Sequence, residues 1–169
     1  RFPTFMTAIA DPITGFAISG GDVASMETVV LAVSSILICI FVYVINDITD
    51  IKYDRIHYPS RPLACGAVKV ATAVVLAIFL LAVAFILVIT VIQKSFWCYF
   101  GIVVGVILYS VILKRNLASA IFSLASIRFL NFYAGCIVVS SSPFIPLFYG
   151  LLPATHVFLL VLFSGYEER

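Results

Sequence analysis

The chain has 169 residues, of which 63% are hydrophobic and 11% charged, with a mean hydropathy of +1.20. A soluble domain runs roughly 45–50% apolar and about 25% charged, so this composition excludes a soluble enzyme, a disordered chain and a small disulfide-stapled module. The net charge of +2 comes without a basic stripe, which argues against nucleic acid as a partner.

Six apolar runs, at residues 4–20, 26–46, 67–92, 96–113, 117–140 and 143–163, approach the about 20 residues that cross a bilayer. They predict an all-α polytopic transmembrane bundle of about six spans, one transmembrane domain over residues 1–169. Asp11 and Pro12 interrupt the first run, and a membrane helix tolerates proline only where neighbours satisfy the freed backbone groups. The second run ends in the acidic segment treated below. Gly101 and Gly105 in the fourth run form a GxxxG pair. The fifth is small-faced through Ala118, Ser119, Ala120, Ser123, Ala125 and Ser126, so both invite close helix approach. The fifth also carries Arg128 and Asn131. Pro143, Pro146 and Pro153 punctuate the sixth. The chain begins Arg1-Phe2-Pro3 with no recognisable signal peptide and reads as a fragment.

On this span pattern Arg1, Lys52, Arg55, Arg61, Lys69, Lys114, Arg115 and Arg169 share one side, and only Lys94 lies on the other. The positive-inside rule places the crowded side, both termini and the acidic segment in the cytoplasm. Asp11 and Arg128 are ionisable residues within spans, where such groups face inward and pair. A structural ion pair between the first and fifth spans is the expectation, with Asn131 completing the polar spot. The functional alternative is a substrate-binding site near an acceptor. His57 and His156 have no second ligand at metal spacing and read as local hydrogen-bonders. Cys39, Cys65, Cys98 and Cys136 lie far apart and read as inert packing residues.

The segment Asn46-Asp47-Ile48-Thr49-Asp50-Ile51-Lys52-Tyr53-Asp54 carries the most chemistry. On one continuous helix Asn46, Asp50, Asp54 and Asp47 project at roughly 0°, 40°, 80° and 100°, a single polar arc. Three carboxylates on one face repel one another, and a helix C-terminus is the wrong end for negative charge. A cation resolves the conflict. Mg²⁺, which takes one or two carboxylates, several waters and substrate phosphate oxygens, suits the arrangement and implies a phosphorylated ligand. The plainer reading is a solvated helix end whose acids pair with Lys52, Arg55, Arg61 and Lys69.

Asn46, Asp47, Asp50 and Asp54, followed by Arg61-Pro62 and Gly66, read as NDxxDxxxD and RPxxxG. The pattern resembles the first aspartate-rich motif of the UbiA-type membrane prenyltransferases. Arg1 to Gly15 looks like that family's first helix, and Tyr109-Ser110 with Lys114-Arg115 looks like its Tyr and Lys motif. The resemblance implies transfer of an isoprenyl group from a prenyl diphosphate to a lipophilic or aromatic acceptor within the bilayer. It implies Mg²⁺ and diphosphate at Asn46, Asp47, Asp50 and Asp54, phosphate contacts from Arg61 and Lys114, and Tyr109 lining the catalytic site. The acceptor is left open among an aromatic acid, a quinone precursor, a tetrapyrrole and a glycerol phosphate.

The resemblance also implies about nine spans of bilayer length and a second aspartate-rich motif after the sixth. The chain instead reaches Gly165-Tyr166-Glu167-Glu168-Arg169 there. It therefore reads as the N-terminal two-thirds of such a protein, and the chain alone is not expected to be a competent catalyst. Lys114 follows Tyr109 by five residues where the family usually has about four, which turns the ammonium by about 100°. The competing reading is a small transporter or channel-like module whose acidic helix end attracts cations.

Overall fold

The computed structural model describes residues 2–113, 116–139 and 144–167, with side chains for 5–113, 116–139, 144 and 148–159. Seven helices follow one another: α1 (Phe2–Ile18), α2 (Met26–Thr49), α3 (Ile51–His57), α4 (Val70–Val91), α5 (Phe96–Val111), α6 (Leu117–Val139) and α7 (Phe144–Glu167). A single 3₁₀ turn, Gln93–Ser95, leads into α5. All six expected spans are helices, α3 is an additional short one in the second connection, and the described residues hold no strand. Met26–Thr49, Val70–Val91, Gln93–Val111 and Leu117–Val139 are long and apolar enough to cross a membrane, while Phe5–Ile18 and Phe148–Leu159 are shorter apolar stretches.

The local chemistry explains the boundaries. α1 stops where Gly20 takes φ +90, a left-handed turn that glycine enters without a Cβ penalty, and the Gly21 N–H returns to the Phe16 carbonyl at 2.9 Å. Asp22 then prepares α2: its Oδ1 accepts from the Ala24 N–H at 3.0 Å, and its carbonyl accepts from Thr28 Oγ1 at 3.3 Å. At the opposite end of α6, Lys94 Nζ donates to the Val138 carbonyl at 3.3 Å, placing a cation where the last carbonyls lack helical partners.

α6 is the hub, packed against α1, α5 and α7, while α2 joins α1, α4 and α5. Leu31, Ala84, Val88, Tyr99, Ala134 and Cys136 are fully buried between them. α4 by contrast exposes Val75, Ile78, Phe79 and Ile86, the all-round apolar surface of a helix facing lipid. The GxxxG residues do lie on the α5–α6 interface: a Cβ at Gly101 or Gly105 would sit 3.3 Å from Leu130 or Ile127. The tightest crossing is elsewhere. A Cβ on Gly135 would overlap the Pro12 carbonyl and one on Gly15 the Phe132 carbonyl, so α1 and α6 touch backbone to backbone through glycines on separate helices.

Cys98 and Cys136 are buried and Cys39 partly so, but Cys65 is exposed. Cys65 sits in the loop, its Sγ 3.5 Å from the Pro62 carbonyl, and is not a packing residue.

Candidate functional site

The acidic motif does not lie on one unbroken helix. Asp50 leaves helical geometry at φ −95, ψ 4, ending α2 and starting α3, which splits the expected arc in two. The bonds from the Asp50 N–H to the Asn46 carbonyl (2.9 Å) and from the Asp54 N–H to the Asp50 carbonyl (2.8 Å) persist across the junction, so the chain bends without being cut. An aspartate is apt to interrupt the helix there, since its side chain competes for backbone hydrogen bonds and its charge is unfavourable at the end of α2 but favourable at the start of α3.

The three carboxylates then part company. Asp54 is buried, 3% exposed, and receives Arg61 Nη1 on both oxygens, at 2.8 and 2.7 Å. The guanidinium also covers the Tyr58 ring at 4.7 Å, a favourable cation–π position. The loop delivers Arg61 through its own backbone: the Arg61 N–H bonds the Tyr58 carbonyl at 3.0 Å and the Cys65 N–H bonds the Arg61 carbonyl at 2.9 Å, before Gly66 turns at φ +79. Residues that the motif pattern gives to metal and to phosphate are thus held by one another. Asp47 and Asp50 stay partly buried at the junction. Lys114 lies outside the described residues. His57 folds back locally, its ring stacked on Tyr53 at 4.0 Å with Nδ1 3.1 Å from the Tyr53 carbonyl.

Asn46 is fixed from α5. Ser110, 1% exposed, donates its hydroxyl to Asn46 Oδ1 at 2.6 Å, which sets the amide plane and leaves the carbonyl oxygen its second lone pair. Among the described residues no three His, Cys, Asp or Glu side chains are grouped to hold a metal ion. A binding mode built on one or two carboxylates, waters and ligand oxygens needs no such cage; Asp47, Asp50 and Asn46 Oδ1 are the donors at this end of α2 that suit it.

From Asn46 a cavity of about 420 Å³ runs inward among α1, α2, α5, α6 and α7, within the usual size range of ligand pockets. Tyr109 joins Asn46 at its outer end, Val42, Cys39, Ile38, Ile102 and Val106 form apolar walls, and Arg128, Asn131, His156 and Ser35 add polar groups. A groove of about 520 Å³ between α6 and α7, lined by Phe122, Phe129 and Phe158 among others, has no ionisable residue in its lining.

The inner polar layer is assembled from three helices. Arg128 Nη2 donates to Asp11 Oδ1 at 3.0 Å, the expected ion pair between the first and fifth spans, with side chains 17% and 9% exposed. Asp11 Oδ2 and Arg128 Nε have no partner among the described residues. Asn131 Nδ2 donates to the Ala8 carbonyl at 2.8 Å. Residue 12 of a regular helix would supply an N–H to that carbonyl, and Pro12 has none; Asn131 replaces the missing donor. Ser35 Oγ bonds Asn131 Oδ1 at 3.2 Å and meets the Tyr99 hydroxyl at 3.1 Å. Ser35 and Tyr99 carry no sequence signal that assigns them to this site, and Ser110 enters only as the neighbour of Tyr109 in the Tyr and Lys motif, without a role. The available signal was polarity inside an apolar run, which serines and tyrosines give only weakly because a serine can bond its own helix and a tyrosine carries its hydroxyl on a large apolar ring.

The fold is thus an all-α membrane bundle around a cavity with a polar, acid-flanked outer end. The UbiA prenyltransferase family matches residues 8–169, and the chain belongs to that family; it is an integral, multi-pass membrane protein. It is similar to a digeranylgeranylglyceryl phosphate synthase of Hyperthermus butylicus, 29% identical over 153 residues covering 86% of this chain and 50% of the relative. The synthases of the same name from Methanocaldococcus jannaschii (35% identical, 43% of this chain, 26% of the relative) and Sulfurisphaera tokodaii (37% identical, 44% and 30%) match shorter stretches. The chain thus spans half or less of the length of these relatives. No solved structure matches it.

Proposed function

We propose that this chain takes part in Mg²⁺-dependent transfer of an isoprenyl group from a prenyl diphosphate to an acceptor held in the membrane, at a site facing the cytoplasm. The observation that carries the reading is the cavity whose polar end, at Asn46 and Tyr109, adjoins Asp47 and Asp50 and whose body is apolar. Mg²⁺, when bound, neutralises the diphosphate and makes it a leaving group. Asp47, Asp50 and Asn46 Oδ1 hold that ion, and Ser110 keeps the Asn46 amide from rotating away. Lys114 contacts phosphate oxygens, while Asp54 and Arg61 fix the connection beside them. The apolar walls take the prenyl tail and exclude water from the allylic carbon. The acceptor is a lipophilic or aromatic molecule entering beside Tyr109; the names of the three relatives make a glyceryl phosphate lipid the first acceptor to assay.

The test is Asp50→Asn in the full-length protein that contains this chain, reconstituted in liposomes with a prenyl diphosphate and an acceptor panel. Removing a carboxylate that holds the ion weakens the group that stabilises the leaving charge, and loss of one such stabilising contact costs about 10²–10³ in rate, so Mg²⁺-dependent transfer should fall about that far. Wild-type turnover with Asp50→Asn matching it would refute the assignment of the site. Cation flux sensitive to Asp50, with no transfer by the wild type, would support a transport module instead.

A further inference from the structure

The inner end of the cavity is closed by hydrogen-bonded side chains of unrelated helices. Ser35 on α2 joins Tyr99 on α5 at 3.1 Å and Asn131 on α6 at 3.2 Å, and Asn131 continues to the α1 backbone at Ala8. Beneath this layer Leu31, Ala134 and Ser95 are all fully buried, and Ser95 Oγ donates to the Ala134 carbonyl at 2.6 Å. Above it, α2 lines the cavity with Ser35, Ile38, Cys39, Val42, Tyr43 and Asn46, a continuous stripe along one helix. That stripe is a ruler. Eleven residues separate Asn46 from Ser35, and at about 1.5 Å per residue the channel is roughly 16 Å deep.

We infer that the Ser35–Tyr99–Asn131 layer is the floor of a prenyl channel and restricts the donor to about three or four isoprene units. The inference rests on the proposed function and adds to it the length class of the donor. Four carbon–carbon bonds of about 1.5 Å advance an extended isoprene unit by roughly 5 Å. Three extended units reach from the Asn46 level to Ser35, and a fourth fits only when the tail bends. A longer tail would have to break a layer whose members would be left as unpaired polar groups in an apolar interior. Depth along α2 therefore translates into tail length: Val42 lies about 6 Å below Asn46, near the end of the first unit, and Cys39 about 10 Å below, near the end of the second.

Two measurements test this. The first is transfer from donors of about one to eight units by the full-length protein and by its Val42→Phe and Cys39→Phe variants, each of which places a ring in existing cavity space. Wild type should prefer donors of three or four units to those of six or more by at least tenfold. Cys39→Phe should move the limit to about two units and Val42→Phe to about one. The second measurement needs no turnover. With Cys65→Ser removing the exposed thiol, alkylation of Cys39 by N-ethylmaleimide should be slowed at least tenfold by non-hydrolysable prenyl thiodiphosphates of two or more units, and not by the one-unit analogue or pyrophosphate. Equal rates for all donors in wild type, or protection that ignores tail length, would overturn the floor while prenyl transfer stands. Loss of transfer from every donor with length-dependent protection intact would overturn the transfer reading and leave the channel.

Discussion

Asn131 completes a hydrogen bond that Pro12 cannot make, and this yields a quantitative prediction. The carbonyl concerned, that of Ala8, accepts Asn131 Nδ2 at 2.8 Å, and Asn131 is 8% exposed, so water is a poor substitute. Replacing Asn131 by Leu leaves the Ala8 carbonyl and Ser35 each short of a partner. Interhelical side-chain bonds in membranes average about 0.6 and reach about 1.7 kcal/mol, and stranding a buried acceptor costs about 1–3 kcal/mol; Asn131→Leu should therefore destabilise by about 2–3 kcal/mol. Pro12→Ala restores an N–H at residue 12 for the Ala8 carbonyl. In that background Asn131→Leu should cost about 1 kcal/mol less, a coupling well within what double-mutant cycles resolve. The assay is reversible unfolding of the four proteins in mixed micelles, with Ser35→Ala as a control that should not couple to Pro12. Additivity within about 0.3 kcal/mol would refute the argument, because it would mean that the amide and the proline act on different groups.

Gly135→Ala forces a methyl into the Pro12 carbonyl, a backbone atom that cannot step aside, whereas Gly101→Ala meets only the end of the Leu130 side chain at 3.3 Å. The first should lower stability by about 3 kcal/mol or prevent folding and the second by less than about 1, read from unfolding and size-exclusion profiles; equal effects would contradict the glycine-to-glycine crossing. For the ion pair, Asp11→Leu alone strands Arg128 and should cost about 3–5 kcal/mol, while Asp11→Leu together with Arg128→Met should recover most of the loss. A double replacement as damaging as the single one, measured by the same unfolding, would show that Arg128 stabilises the bundle through something other than Asp11.

Elements whose cause is local were readable from the chain. Four helices of the bundle follow from apolar runs of bilayer length and α1 and α7 from shorter apolar runs, and the Asp11–Arg128 pair follows because an acid and a base in otherwise apolar spans have few alternatives to one another. Contacts whose cause is a coincidence of distant positions were not. Gly15 and Gly135 carry no motif, since the spacing that matters between them is set by where α1 crosses α6 and not by any interval along one helix. The Asp54–Arg61 pair was among the alternatives weighed, yet motif logic gave both residues to a ligand; only the loop's own hydrogen bonds, through Tyr58, Cys65 and Gly66, decide that the guanidinium returns to the carboxylate.

Pro12 shows that one further step was available. A proline at an inner position of a span frees one specific carbonyl, four residues back, and that carbonyl needs a donor in a place without water. Asn131 is the side-chain amide of the fifth span, four spans on from the first in sequence but adjacent to α1 in the bundle. The same pairing of a vacancy with a lone amide explains why the cavity has a polar floor at all. The donor that repairs α1 has an oxygen left over, Ser35 satisfies it and is itself held by Tyr99, and a repair of the backbone thereby becomes a barrier at fixed depth. On this account the proline that weakens the first helix and the layer that measures the tail are one structural device, and Asn131→Leu should lose both the support of the Ala8 carbonyl and the donor-length limit.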